Sequence, residues 1–317
     1  MPASLFPYRR RLVLLAGTTR KALSDEKGSP RHEGSPGTMR QFLADIKRYW
    51  NERPFLWDER AGPGERKPHL PTRGRVLVIG PHPDDPECVA VTTRLLMQSG
   101  CDIHVAIVTL SPAGVEDEYV GSRSRDDFFC LQEAKRAIRR REQIASAEQS
   151  GLPGDHLVFL HVEEGPALQC RDNEALLENH LESAAPDIVI LPAGNDPNQT
   201  HAWTHRIFRT CAHDLAVRRG KPLAALYNED PKTIGMRRDL FVCFGEKSAE
   251  WKKALLRTHD SQQQRNRRLR GKGFDERILG MNHDSRKHLF EGSPSAAYAE
   301  AFEIELFGDT GAFCFDA

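Results

Sequence analysis

Hydrophobic residues recur along the chain in short unbroken runs, which are separated by stretches of helical periodicity. The runs lie at residues 76–79, 105–108, 157–160, 188–191 and 223–226. Runs without alternating polar positions are typical of strands buried on both faces. Most segments between them, at 88–99, 126–149, 173–183 and 201–218, predict helices. Alternating strands and helices indicate an α/β fold with a doubly wound, mostly parallel, Rossmann-like sheet and helices on both faces.

The first 73 residues have a different character from the rest. Clusters of Gly, Ser and Pro surround one helical stretch, in which Phe42, Ile46 and Trp50 recur at four-residue spacing. That spacing gives a single apolar stripe on a helix. We therefore predict an N-terminal arm over residues 1–73, which lies on a main domain of residues 74–317.

Composition narrows the class of protein. The 317 residues carry a formal net charge of zero, so bulk attraction to nucleic acid has no support. No apolar run approaches the roughly 20 residues that a membrane-spanning helix needs. The seven cysteines are scattered without a CxxC pair, which argues against a disulfide framework and favours a reducing cytoplasm. We expect a small-molecule substrate, no nucleic-acid partner and no membrane span; a homo-oligomeric state is left open.

Polar residues of the kind that bind metals follow two of the predicted strands. The segment PHPDDPE (81–87) comes after the first run, and PAGNDPNQTH (192–201) after the fourth. In doubly wound sheets the ligand crevice lies beyond the carboxyl ends of the strands, so the two segments are expected to converge. His82 and Asp85, on a turn stiffened by prolines, offer two of the three protein ligands usual for catalytic zinc. His201 is the favoured third ligand, and His205, one helical turn further, is the alternative.

These segments resemble the PIG-L/LmbE family of zinc-dependent N-deacetylases. Two later stretches, KALLRTHDSQ (253–262) and YAEAF (298–302), are also similar to segments of that family. The resemblance covers roughly residues 75–305. It implies that His82, Asp85 and His201 hold Zn²⁺ and that Asp84 is the general base.

The resemblance also suggests roles for four further residues. Asn198 stands where the family has the first histidine of a His-Pro-Asp-His motif, and we expect its amide to donate to the developing oxyanion. His205 is a candidate general acid. Arg139 and His259 are candidate substrate-binding residues. The structural alternatives are simple pairing of Arg139 with Glu142 at i,i+3 spacing and a polar helix end at His259.

The function expected from the sequence is removal of an acetyl group from the amide nitrogen of an N-acetylglucosamine-like amino sugar or conjugate. Zn²⁺ is the expected cofactor, with other divalent first-row metals as alternatives. Two other functions stay open: an amidase acting on a thiol conjugate or antibiotic-type substrate, and a non-catalytic metal-binding module of the same fold. A dinucleotide-binding protein lacks support, because no GxGxxG follows the first strand.

Overall fold

A mostly parallel eight-stranded sheet forms the centre of the computed structural model, which describes residues 38–62, 68–121, 128–289 and 296–308. The strands are β1 (Phe55–Asp58), β2 (Arg75–Gly80), β3 (Asp102–Ile107), β4 (Leu157–Phe159), β5 (Ile188–Pro192), β6 (Leu223–Asn228), β7 (Leu240–Phe244) and β8 (Tyr298–Phe307). Their order across the sheet is β1-β7-β8-β6-β5-β2-β3-β4. Only β8 runs antiparallel to its neighbours, β6 and β7. The predicted α/β fold is confirmed.

Eight α-helices accompany the sheet within the described ranges. They are α1 (Met39–Arg48), α2 (Ala90–Gln98), α3 (Phe128–Ser150), α4 (Arg171–Ala184), α5 (Gln199–Arg219), α6 (Glu246–Arg257), α7 (Asp260–Arg270) and α8 (Phe274–Arg286). None of these helices is long and apolar enough to cross a membrane.

The core lies on both faces of the sheet because successive strand residues point to opposite sides. On β2, Val76 and Val78 join one hydrophobic cluster, and Leu77 and Ile79 join the other. Residues of α1, α2 and α6 complete the first cluster, whereas residues of α4 and α5 complete the second. Both faces of β2 are therefore covered, which explains its unbroken apolar run.

The segment before β2 contributes to this core. Phe42 and Ile46 of α1 are fully buried in the first cluster, and β1 pairs in parallel with β7. Residues 1–37 lie outside the described residues, and the division at residue 73 stays a prediction.

The sheet topology brings three strand ends together. Strand β5 pairs in parallel with β2 on one side and with β6 on the other, while β3 pairs with the opposite edge of β2. Strands β3 and β4 lie on one side of β2, and β5 and β6 lie on the other, so the strand order reverses at β2. In doubly wound folds such a reversal creates the crevice in which ligands bind. The residues following β2, β5 and β6 share this edge.

Candidate metal centre and its cleft

Three side-chain atoms from the two predicted segments form a nearly equilateral triangle. His82 Nδ1 lies 3.3 Å from Asp85 Oδ2 and 3.2 Å from His201 Nε2, and the third side, from His201 Nε2 to Asp85 Oδ2, is 3.3 Å. Ligand atoms bound tetrahedrally at about 2.0 Å from zinc are separated by about 3.3 Å. The triangle therefore has the dimensions of three corners of a tetrahedral site, and its fourth corner is left for water or substrate.

Each histidine of the triangle has a carboxylate near its other ring nitrogen. His201 Nδ1 lies 2.8 Å from Asp196 Oδ2, and His82 Nε2 lies 3.4 Å from Glu164 Oε1. A carboxylate in this position fixes the ring tautomer and makes the ligating nitrogen more basic. In that tautomer, His82 Nδ1 and His201 Nε2 would be free of hydrogen and able to bind a cation.

The electrostatic environment of the triangle favours a cation. Burial lowers the pKa of His82, but hydrogen bonds to Asp85 and Glu164 raise it above its usual value. Burial likewise lowers the pKa of His201, and Asp85 and Asp196 raise it well above the ordinary range. For Asp85 the penalty of burial is outweighed by His201 and His82, which hold its pKa far below normal. A negative potential that favours protons on two adjacent imidazoles also favours a divalent ion, so these residues fit Zn²⁺ or a similar metal.

The backbone at Asp84 is strained. Its φ of +98° lies in a region that L-residues rarely occupy, at a cost of roughly 1–3 kcal/mol. Helix α3 holds it there: Gln143 Oε1 accepts the Asp84 N–H at 3.1 Å, and Arg139 Nη2 donates to Pro83 O at 2.5 Å and to Asp84 Oδ1 at 2.8 Å. The strain places the Asp84 carboxylate beside the triangle but outside it. Burial raises the pKa of Asp84, and Arg139 opposes that rise.

The turn after β2 is also compact, and side chains of α3 hold it in place. A Cβ at Gly80 would come within 2.7 Å of the Pro86 ring, so only glycine allows the chain to fold back here. Glu87 is buried and its Oε1 accepts hydrogen bonds from Gln143 Nε2 at 3.0 Å and Ser146 Oγ at 2.5 Å. Glu87 thus ties the turn to α3 and touches none of the triangle residues.

Arg139 retains unused hydrogen-bonding capacity. Its side chain is 2% exposed and lines the cleft, yet Nε and Nη1 have no hydrogen-bond partner among the described residues. The alternative of simple pairing with Glu142 is wrong, because Glu142 instead accepts the backbone N–H and the hydroxyl of Ser261, both at 2.7 Å. Buried guanidinium N–H groups are normally paired, so Arg139 is suited to an oxygen atom of a ligand.

Asn198 is the N-cap of α5 and also lines the cleft. Its Oδ1 accepts from Thr200 N at 2.9 Å and from His201 N at 3.4 Å, which fixes the first turn of the helix that carries the third triangle residue. This use of Oδ1 leaves Nδ2 without a protein partner among the described residues. Nδ2 is therefore available to a ligand oxygen.

Two predicted site residues lie away from the cleft. His205 packs against the Tyr227 ring, with centroids 4.6 Å apart, and over Gly194, where a Cβ would come within 2.3 Å of its Nδ1. Burial lowers the pKa of His205 to about 4. His259 is fully buried, with Nε2 3.3 Å from Glu87 Oε2, and does not form the substrate rim expected of it. His205 lies one helical turn after His201 on α5 and packs beside Tyr227 of β6. His259 lies against Glu87, in the segment that follows β2.

Sequence reasoning missed two acidic residues of the site. Asp230 follows β6 and offers a carboxylate oxygen within 4.8 Å of the ligating atoms of Asp196 and His201. Burial raises the pKa of Asp230 to about 6. Glu164 comes from the segment after β4. The sequence does contain a signal for Asp230. Ligand-binding residues of doubly wound sheets lie after the carboxyl ends of strands, and Asp230 follows the fifth hydrophobic run.

The cleft over the triangle has a volume of about 270 Å³. Its lining includes the acidic and imidazole groups of His82, Asp84, Asp85, Glu164, His201 and Asp230. The lining also includes the basic groups of Arg139, Lys232, Arg265, Arg270 and Arg277. A ligand in the cleft therefore meets both a candidate cation site and several guanidinium groups.

Comparison with known proteins identifies the domain. Residues 77–212 match the PIG-L family model, described as GlcNAc-PI de-N-acetylase. No curated protein matches the chain.

Several solved structures share the fold at low identity. An N,N'-diacetylchitobiose deacetylase from Pyrococcus horikoshii is 19% identical, with a TM-score of 0.55 over 73% of this chain and 84% of its own. GalB, a 4-carboxy-2-hydroxymuconate hydratase from Pseudomonas putida, is 17% identical, with a TM-score of 0.54 over 73% of this chain and 95% of its own. The zinc-inhibited form of teicoplanin deacetylase Orf2 is 13% identical, with a TM-score of 0.50 over 74% and 100%.

The family match includes every residue of the triangle, together with Asp84, Arg139 and Asn198. The segments PHPDDPE (81–87) and PAGNDPNQTH (192–201) lie within the matched region, whereas KALLRTHDSQ (253–262) and YAEAF (298–302) lie outside it. Residues 77–212 of the chain therefore match a PIG-L family domain.

Proposed function

We propose that the cleft holds Zn²⁺ through His82, Asp85 and His201 and removes an acetyl group from an N-acetylglucosamine-like amino sugar or its conjugate. The observation that carries the proposal is the triangle, whose sides of 3.2 and 3.3 Å suit a tetrahedral ion with one position open. Two proteins whose structures share this fold are named as deacetylases, one of N,N'-diacetylchitobiose and one of teicoplanin. The hydratase GalB has the same fold, so the reaction is argued from the residues of the site and not from the fold.

Asp84 is the residue we propose as general base. When bound, Zn²⁺ would polarise the substrate carbonyl and lower the pKa of a water molecule from 15.7 toward about 7. Asp84 would accept the proton of the attacking water and return it to the amide nitrogen as the bond to the acyl carbon breaks. Arg139 supports this role because its hydrogen bond to Oδ1 fixes the carboxylate and leaves Oδ2 for the water.

Two other side chains are placed to bind the acyl amide and its sugar. Asn198 would donate from Nδ2 to the carbonyl oxygen, whose negative charge grows in the transition state. Arg139 would donate from Nε or Nη1 to a substrate oxygen. His205 is not part of the proposed mechanism, because it faces Tyr227 and its low pKa leaves it without a proton at neutral pH.

The metal-binding module without activity is the weaker alternative. Such a module needs neither a strained turn at Asp84 nor a buried arginine to hold it. Strain of this kind persists at active sites, where it orients a reacting group.

We place the reaction in the cytoplasm, since the described cysteines are free thiols.

The proposal is tested by metal content and acetate release measured on the same preparations. The substrate panel contains N-acetylglucosamine, diacetylchitobiose, an N-acetylglucosaminyl thiol conjugate and an N-acyl glycopeptide. We expect His82→Ala to lose both bound metal and turnover. Asp84→Asn should keep the metal and lose turnover by about 10²–10⁴-fold, the usual contribution of a general base.

A matched control on α5 is His205→Gln, which should keep both metal and turnover. Full activity in Asp84→Asn would eliminate Asp84 as the base. Stoichiometric metal in the wild type with no hydrolysis anywhere in the panel would favour the binding module.

A further inference from the structure

Three arginines that line the cleft form no ion pair with any described carboxylate. Arg265 and Arg270 lie on α7, Arg277 lies on α8, and all three line the cleft. Among the described residues, none of them has a carboxylate within 4.0 Å, whereas Arg136, Arg209 and Arg268 each pair with a glutamate. We refer to Arg265, Arg270 and Arg277 as the arginine wall.

A neutral amide holds two of these guanidinium groups side by side. Asn266 Oδ1 accepts from Arg277 Nη1 at 2.7 Å and from Arg270 Nη1 at 3.2 Å. Asn266 itself is 4% exposed, and its Nδ2 donates to Gln262 O at 2.9 Å, so the acceptor is fixed in place. Two cations that share one uncharged acceptor repel each other, and the shared oxygen does not neutralise either charge.

Arg265 is the third arginine, and the charge of Glu116 acts on it. Glu116 already pairs with Arg268 on the exposed side of α7, where its two carboxylate oxygens accept from Arg268 Nε at 2.8 and 2.6 Å. Arg265 is left half-buried at the cleft. Burial lowers the pKa of Arg265, and the charges of Arg270 and Arg139 lower it further. Burial and the charge of Arg270 likewise lower the pKa of Arg277. The cleft thus holds three guanidinium groups that no described carboxylate pairs within 4.0 Å.

We propose that the arginine wall binds an oxyanion substituent, a phosphate or a carboxylate, on the amino-sugar substrate. The inference rests on the proposed function, since it assigns a substituent of the same substrate other than the scissile amide. Guanidinium groups bind such oxyanions through paired N–H donors, and here the repulsion between neighbouring cations would be relieved by binding. A metal ion bound at the triangle would neutralise the acidic groups of the cleft and leave the basic groups for the substrate.

The test compares neutral and anionic substrates with the same amide. The neutral substrate is N-acetylglucosamine; its 1-phosphate and 6-phosphate carry the phosphate, and N-acetylmuramic acid carries a carboxylate. We expect at least one anionic substrate to have a kcat/KM about 10- to 100-fold above that of the neutral sugar, the effect of one or two charged hydrogen bonds. Whether the phosphates or the carboxylate show the gain identifies the oxyanion.

The variants are Arg270→Gln and Arg265→Gln, and the matched control is Arg267→Gln. Arg267 lies on the same helix, is exposed and does not line the cleft. We expect the first two to remove most of the preference for the anionic substrate and to leave kcat/KM for the neutral sugar within about threefold. Equal rates for neutral and anionic substrates in the wild type, or an equal loss in Arg267→Gln, would overturn the proposal while leaving deacetylation intact.

A binding measurement separates this proposal from the function on which it rests. Calorimetric titration of the metal-loaded protein with N-acetylglucosamine 6-phosphate, its 1-phosphate and N-acetylmuramic acid needs no turnover. Anion binding that weakens about tenfold in Arg270→Gln and not in Arg267→Gln supports the arginine wall. If the same protein hydrolyses none of the substrates, the arginine wall still stands and the proposed deacetylase function is wrong. No binding of any of these anions and no preference in turnover would reject the arginine wall itself.

Discussion

His201 Nδ1 lies 2.8 Å from Oδ2 of Asp196, a carboxylate with no exposed side-chain surface. The two residues flank the start of α5, and Asn198 between them caps that helix. Asp196 therefore determines which nitrogen of His201 faces the triangle. The pair links the loop after β5 to the triangle.

Replacing Asp196 should weaken metal binding without removing a ligand. Asp196→Asn is expected to lower zinc affinity about 10- to 100-fold, because the amide no longer fixes the His201 tautomer or raises the basicity of Nε2. Competition with a chromophoric chelator measures the affinity. Asp284→Asn, an exposed carboxylate on α8, is the control and should bind zinc as the wild type does. Unchanged affinity in Asp196→Asn would mean that Asp196 does not orient His201.

Arg139 is expected to act on turnover and not on metal binding. In Arg139→Lys the ammonium group cannot reach Pro83 O and Asp84 Oδ1 with the same fork, so the strained turn is held less firmly. We predict a loss in kcat of about 10- to 100-fold at unchanged zinc content, the effect of one or two charged hydrogen bonds. Arg141→Lys, two residues along α3 and exposed, should behave as the wild type. A loss of zinc that parallels the loss of kcat would show that Arg139 supports the triangle instead.

The central part of the fold could be predicted because both faces of the sheet are buried. Runs such as 188–191 are continuous and apolar, and β5 is buried at every position. The first two site segments could be found for the same reason, since they directly follow such runs. The spacing of the motif favours His201 over His205, and His201 is the histidine whose Nε2 lies 3.2 Å from His82 Nδ1.

The rest of the site depended on contacts that no local pattern records. Glu164 reaches His82 from the segment after β4, and Gln143 supports the Asp84 backbone from 59 residues away. His259 belongs to a segment noticed from the family resemblance, yet only the packing of α6 and α7 against α3 decides that it is buried. The five hydrophobic runs correspond to β2–β6, whereas β1, β7 and β8 were not predicted; β1 has only three consecutive apolar residues.

A buried ion pair connects the active-site turn to the last strand. Lys252 is fully buried, and its Nζ donates to Glu300 Oε1 at 2.7 Å, to Asn282 Oδ1 at 2.8 Å and to Cys88 O at 2.5 Å. Glu300 also accepts the backbone N–H of Thr92 at 2.8 Å. The pair thus joins α6, α8 and β8 to the first turn of α2, directly after the segment that carries His82 and Asp85.

Breaking that pair on one side should destabilise the protein strongly. Lys252→Met leaves Glu300 charged and buried, and we predict a loss of about 3–5 kcal/mol in the free energy of unfolding, measured with urea. The double variant with Glu300→Gln should recover part of the loss, because no uncompensated charge remains. For the exposed pair with Asp284, Lys287→Met should change the free energy by less than about 1 kcal/mol. Equal effects of the two single variants would contradict the buried pair as a structural clamp.

His205 is predicted to make the protein sensitive to acid. Its pKa is about 4 in the folded protein, against a reference value of 6.5, because the ring is buried beside Tyr227 and near Arg209. Between these values the unfolded chain binds a proton that the folded protein does not. The stabilising contribution is therefore complete above pH 6.5 and is lost as the pH falls toward 4.

His205→Gln removes this titration and keeps a polar side chain. The free energy of unfolding should then fall by roughly 2–3 kcal/mol less than in the wild type between pH 7 and pH 4.5. Denaturant titrations of the metal-free proteins at a series of pH values measure the difference, since the groups of the triangle titrate alike in both and cancel. His283→Gln, an exposed histidine on α8, provides the control and should follow the wild type. If His205→Gln also follows the wild type across this range, the pKa of His205 is the same in the folded and unfolded protein, and the reason for excluding it as a general acid is lost.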